Sequence, residues 1–196
     1  MRKTLLLLLG LAIALAPLGA SAGLDNKTDS FGVYFDNAGN NNCATVNPWT
    51  PTPVYLLLMN PIGTLTDGFE CTVTPTGAPY FILSTDLGPV ALDIDASPNG
   101  FAVGRASPYP IADGAIKLVT WSFMLQAAAP LEFRITQATL NSIPGSGVPV
   151  VSGGGVLRRC GVASGDVTLP VAIVNGTTAP VSEEVNSFGA VKSLFR

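Results

Sequence analysis

The rhythm of the chain constrains the fold most. Short apolar stretches of strand length recur roughly every ten residues, and turn-forming residues separate them. Phe31, Val33 and Phe35 alternate with smaller or polar neighbours, as a first strand would. Val54 to Met59 is an unbroken apolar run stopped by Asn60-Pro61, which predicts a strand buried on both faces. Phe69, Cys71 and Val73 alternate again. Tyr80 to Leu83, Val90 to Ile94 and Phe101 to Val103 follow, divided by Asp-Leu-Gly-Pro and Ser-Pro-Asn-Gly, where Gly, Pro, Asn and Asp set turn geometry. In Ala115 to Leu125 neither face is cleanly polar, so a central strand with a twist or bulge partway is expected. Leu131 to Thr136 shows the clearest alternation, with Leu131, Phe133 and Ile135 inward and Glu132 and Arg134 outward. Val148 to Val151, Val156 to Cys160 and Val167 to Val174 complete about nine to eleven strands, the range of two-sheet sandwiches.

The first 22 residues stand apart. Arg2 and Lys3 precede an apolar stretch from Leu5 to Leu18, and Ala20-Ser21-Ala22 has the small-residue pattern of a cleavage site. That stretch falls short of the roughly 20 residues a membrane helix needs, and no later segment spans a membrane. The expectation is an export signal over 1–22, a mature chain from Gly23, and a location that is secreted, periplasmic or at the cell surface. A β-sandwich domain then occupies 23–180. The tail, 181–196, carries Phe188, Val191, Leu194 and Phe195 at helical spacing and reads as a short amphipathic helix or an edge strand.

Composition narrows the function. The formal charge is −3, and losing Arg2 and Lys3 makes it more negative still. No basic cluster is available to displace phosphate counterions, so nucleic acid is not a partner. The chain has no histidine, which removes Ser-His-Asp and Cys-His nucleophiles and histidine-based metal sites. Three cysteines, Cys43, Cys71 and Cys160, are too few for an all-cysteine zinc site. In an exported chain one disulfide is expected, and Cys43 with Cys71 closes the shortest loop, although sequence alone leaves all three pairings open.

The remaining candidates are small. Asp93 and Asp95 share a strand face, a pattern that fits calcium or an acid and base pair, while Val90, Leu92 and Ile94 are read as filling the opposite, core face. Asp36 and the asparagines after it read as a hydrogen-bonded turn. Glu70 and Glu132 are the carboxylates a glycoside hydrolase on this scaffold would need. Ser152-Gly153-Gly154-Gly155 lacks the lysine of a phosphate loop and reads as a turn. Trp49 and Tyr109, each beside prolines, are the candidate aromatic platforms for a ligand. No cofactor is implied.

The order of these segments carries a resemblance. An early strand, the doubly apolar Val54 to Met59, the Gly-Phe strand Gly68 to Val73, the Asn-Gly-Phe segment at Asn99 to Phe101, Asp113-Gly-Ala-Ile116 leading into the long strand, and the alternating Leu131 to Ile135 together resemble cohesin-type modules. The resemblance covers roughly residues 31–172. It implies a jelly-roll or cohesin-like antiparallel sandwich, and with it an extracellular module that binds a protein or carbohydrate partner. No dockerin-contacting residue matches, so no site residue is implied. The ending from Ser187 to Arg196 resembles the tail of uncharacterised exported bacterial sandwich proteins. The fold expected is all-β, and the function a non-enzymatic binding, adhesion or scaffold module. An extracellular polysaccharide hydrolase with a carboxylate pair is the alternative.

Overall fold

The computed structural model describes residues 24–177, so the export signal, the start at Gly23 and the tail lie outside the described residues. Every regular element described is a strand. There are fourteen: β1 Ser30–Tyr34, β2 Cys43–Ala44, β3 Thr52–Met59, β4 Gly68–Gly77, β5 Tyr80–Asp86, β6 Ala91–Asp93, β7 Gly100–Arg105, β8 Ile111–Ala112, β9 Ala115–Leu125, β10 Leu131–Thr136, β11 Val150–Gly153, β12 Val156–Arg159, β13 Gly161–Val162 and β14 Ala172–Val174. The surplus over the sequence expectation consists of the two-residue strands β2, β8 and β13, too short to leave a periodic signal.

The strands form two facing sheets. Sheet A runs β13-β1-β3-β9-β5, with β8 also on β9; sheet B runs β12-β11-β4-β10-β14-β2, with β7 on the other side of β4 and β6 on β7. Most pairs are antiparallel, but β1 with β13 and β14 with β2 are parallel, so both sheets are mixed. Alternation explains the core between them. Phe31, Val33, Leu56 and Leu58 from sheet A meet Phe69, Cys71, Val73, Leu131, Phe133 and Ile135 from sheet B, all fully or almost fully buried.

Two local features depart from a simple alternating sandwich. In β9 the register against β3 shifts, with Leu56 opposite Val119 but Leu57 opposite Lys117, so Leu118 is an extra residue. This bulge turns Leu118 and Val119 both into the core and leaves Lys117 in water, which accounts for the two apolar faces read from the sequence. The second feature is that sheet A is partly covered on its outer side. Tyr34, Leu57, Met59 and Ala115 form a separate buried cluster there. The loop after β1 lies over it: a Cβ on Gly39 would stand 2.6 Å from Met59 Cε, and the Gly39 φ of +72° is in the left-handed region that favours glycine. That loop is held by Asp36, whose Oδ1 accepts from the amides of Ala38 and Asn40. The hydrogen-bonded turn expected at Asp36 is therefore present.

The Gly-rich segment after Ser152 is likewise a turn. β11 and β12 form a hairpin with Gly153 opposite Val156, and Gly154 and Gly155 take φ of +59° and +79°, the left-handed pair of a tight two-residue connection.

The expected disulfide is not formed. All three cysteines are free thiols. Cys43 sits on β2 and Cys71 on β4, with β10 and β14 between them. Three strand spacings come to roughly 14 Å, twice the reach of a disulfide. Cys160 follows β12, two strands from Cys71 across β11 and roughly 10 Å away by the same spacing. The shortest loop in sequence is thus the wrong guide, because a sheet separates neighbours in sequence across several strands. Burial pushes the Cys160 thiol up to about 12 and raises Cys71 well above its ordinary value, with the Asp93 charge adding to the latter. A thiol reagent on the native protein is expected to modify half-buried Cys43 first. Cys71 and Cys160 should react only on unfolding, and peptide mapping after timed labelling checks this.

The same burial predicts a pH dependence. Desolvation raises Tyr109 to about 12 and Tyr34 further, while an unfolded chain releases thiol and phenol protons near 9 and 10. Above a pH of about 9 the unfolded state therefore binds fewer protons than the folded one, and stability falls with rising pH. The contribution is complete below about 9 and is lost progressively toward 12. Urea midpoints measured from pH 7 to 11 should be flat at first and then drop.

Candidate functional site

The sequence candidates fall in different parts of the sandwich. Trp49 lies in the β2–β3 loop with φ of +63°, its amide donating to Leu125 at the end of β9, and its side chain is 62% exposed. Tyr109 precedes β8, which pairs with the other end of β9. The two aromatics are not brought together. Tyr109 is also not an open platform, since it is only 4% exposed, packs edge-on to Phe69, and carries the Arg105 guanidinium 4.2 Å from its ring centroid. A residue flanked by prolines here closes the core.

Asp93 and Asp95 do share a side, but the faces of that segment are the reverse of the expectation. Val90, Leu92 and Ile94 are each 66% exposed, while Asp93 and Asp95 are half-buried. The carboxylates hold a chain of turns. Asp93 Oδ1 accepts from the amides of Asp95 and Ala102, and Asp95 Oδ1 from the amide and hydroxyl of Ser97. The Ser97 hydroxyl is the main cause that lowers the Asp95 pKa. Among the described residues no three His, Cys, Asp or Glu side chains converge as a metal site would require.

The two glutamates are far apart. Glu132 on β10 pairs opposite Thr76, six residues along β4 from Glu70, or roughly 20 Å at the strand rise. Each is also engaged: Glu70 accepts from the amide and hydroxyl of Ser142, and Glu132 pairs with Arg134 at 2.6 Å.

What the sequence did not reveal is an apolar margin. β5 ends sheet A and β6 ends sheet B, and only the short link from Leu87 to Val90 joins them, so the two free edges lie on one side of the sandwich. Phe81, Ile82 and Leu83 on β5 are exposed, as are Val90, Leu92 and Ile94 on or beside β6. The signal was present as apolar runs but was read as core. Beside this margin the Arg105–Tyr109 stack opens into a cavity of about 210 Å³ reached between β5 and β8.

No family model matches the chain, and no curated protein matches it. Among solved structures, the sixth cohesin from scaffoldin B of Acetivibrio cellulolyticus, solved in complex with a dockerin, is similar. Its TM-score is 0.46 at 14% identity, over 76% of this chain and 99% of that one. A cohesin module from a family 33 glycoside hydrolase of Clostridium perfringens has a TM-score of 0.40 at 9% identity, over 68% of this chain and 91% of that one. Both are cohesin modules, the type the segment order resembles. Likeness at this level carries no residue role across. Among the described residues no helix is long and apolar enough to cross a membrane.

Proposed function

We propose that this domain is a non-enzymatic binding module that holds a protein partner outside the cytoplasm, as an adhesion or scaffold element. The observation that carries the reading is the apolar margin. Phe81, Leu83, Val90, Leu92 and Ile94 are exposed beside two strand edges whose outer side pairs with no strand among the described residues. Contiguous exposed apolar surface marks interaction sites, and a free strand edge accepts an added strand. Proteins without such a role blunt their edges with charge or proline. In β5 the first charge comes at its last residue, Asp86.

The hydrolase alternative needs two carboxylates about 5–10 Å apart in an open groove. Glu70 and Glu132 do not meet that spacing, and Asp93 and Asp95 are bound to backbone amides. The export signal expected from the sequence of residues 1–22 supports an extracytoplasmic location.

The test uses Leu83→Lys together with Leu92→Lys. Because both side chains are exposed, melting should be nearly unchanged, within about 0.5 kcal/mol per site. Retention of the purified protein on envelopes of its host should fall at least tenfold. Equal retention of the variant would overturn the role of this margin, and release of reducing sugar from a polysaccharide panel would favour the hydrolase.

A further inference from the structure

Sheet A is interrupted along β9. β5 pairs with β9 only as far as Asp86 opposite Thr120, and β8 begins with Ile111 opposite Ile116. Between them, Lys117 to Val119 have no strand on that side, and the gap is the mouth of the 210 Å³ cavity. Strand ends close it above and below, so a through-running peptide does not fit. Its size is below the roughly 300–1,000 Å³ of sites for drug-sized molecules.

Leu87, Pro110, Leu118 and Val119 give the lining apolar surface, and Arg105, Lys117 and Asp86 are its charged residues. The Arg105 guanidinium carbon lies 4.2 Å from the Tyr109 ring centroid, over the ring, and Gly88 lies near it, since an added Cβ there would stand 3.9 Å from Arg105 Cζ. The contact with the Tyr109 ring holds the guanidinium in place, and its remaining N–H donors can recognise a ligand. Arg105 Nε is buried without an acceptor, and Arg105 takes part in none of the ion pairs among the described residues. The other cation of the lining, Lys117, directs its ammonium to 5.9 Å from the Tyr55 ring, on the outer side of the sheet. Asp86 also belongs to the lining and would repel a second negative charge.

We propose that this notch binds a compact monocarboxylate with an apolar body, its carboxylate on the edge of Arg105 and its body against Tyr109 and Leu118. Carboxylate geometry matches the guanidinium fork. The group comes either from a free small acid or from an acidic side chain between apolar residues on a partner segment.

Titration of the whole protein with benzoate, and separately with acetyl-Leu-Glu-Leu-amide, followed by amide NMR, tests this. Saturable shifts at Leu118 to Thr120 are expected with at least one of the two, and the better binder names the source. Neutral benzamide, or the peptide with glutamine for glutamate, should bind at least tenfold more weakly, a comparison that needs no variant. Arg105→Gln should lose binding to the same degree. Leu83→Lys with Leu92→Lys should bind benzoate as the parent does, which separates this site from the partner margin. No saturation by either ligand, or neutral analogues binding as well as their acids, would overturn the proposal.

Discussion

Replacing Phe133 with alanine is expected to destabilise the domain by about 3–5 kcal/mol, a large fraction of the stability of an ordinary domain. Phe133 sits at the middle of β10 with none of its surface exposed. Its ring meets Phe123 of β9 edge-on at 5.3 Å between centroids and Phe35 at 6.4 Å. It therefore joins the two sheets where a small cavity is already present, lined by Phe35, Val54, Phe123, Leu131 and Val174 among others. Strands flank that space on both sides, so it cannot collapse onto a truncated side chain, and the cost should lie at the upper end. Phe133→Leu, which retains most of the volume, should cost much less. Urea denaturation of the two variants measures the difference.

Arg158→Met is expected to destabilise by about 3 kcal/mol through a different cause. Arg158 Nε and Nη2 reach the two carboxylate oxygens of Asp29 at 3.1 and 3.4 Å, and Asp29 also accepts from the amide of Ile62. The Asp29 side chain is 8% exposed, so losing the guanidinium leaves a carboxylate in a poorly solvated place. Partial exposure of Arg158 keeps the figure at the lower end of the range for buried pairs. Adding Asp29→Asn should restore part of the loss, because a neutral amide is cheaper to bury unpaired. If the double variant is no more stable than Arg158→Met alone, stem packing rather than charge explains the effect. By contrast the exposed pair of Glu132 and Arg134 should contribute less than about 1 kcal/mol.

Strand identity was legible wherever alternation was long. β9 and β10 could be read almost residue by residue, including the irregularity in β9, because its alternation changes exposure partway, where Leu118 is the extra residue. Segment order also led to the two-sheet architecture. What alternation could not supply was direction. In Val90 to Asp95 it separates two faces correctly, but burial follows the carboxylates, because Asp93 and Asp95 cap amides on the inner side while Phe69, Phe101 and Trp121 already fill the adjoining core. Leu92 and Ile94 are left outside for that reason. The candidate site was hidden for a related cause. Arg105 is a single cation at the end of β7, and its meaning depends on a missing length of strand beside β9 that no local pattern records. Asp29 and Arg158 are as hard to pair, being remote in sequence and joined only through the parallel contact of β1 and β13.

Those parallel contacts also bear on how the chain reaches its fold. β1 pairs with β13 and β2 with β14, each across about 130 residues. Such remote pairings must overcome a large loop-closure entropy before they stabilise anything, and domains dominated by them fold in milliseconds to seconds rather than microseconds. Each sheet has one of its earliest strands held by one of its latest. A nascent chain therefore cannot complete sheet A until roughly residue 162 is available, nor sheet B until roughly residue 174, so both sheets stay incomplete through most of synthesis. Late closure would also suit the extracytoplasmic role proposed above, because a chain whose sheets are still incomplete can be threaded through a narrow channel.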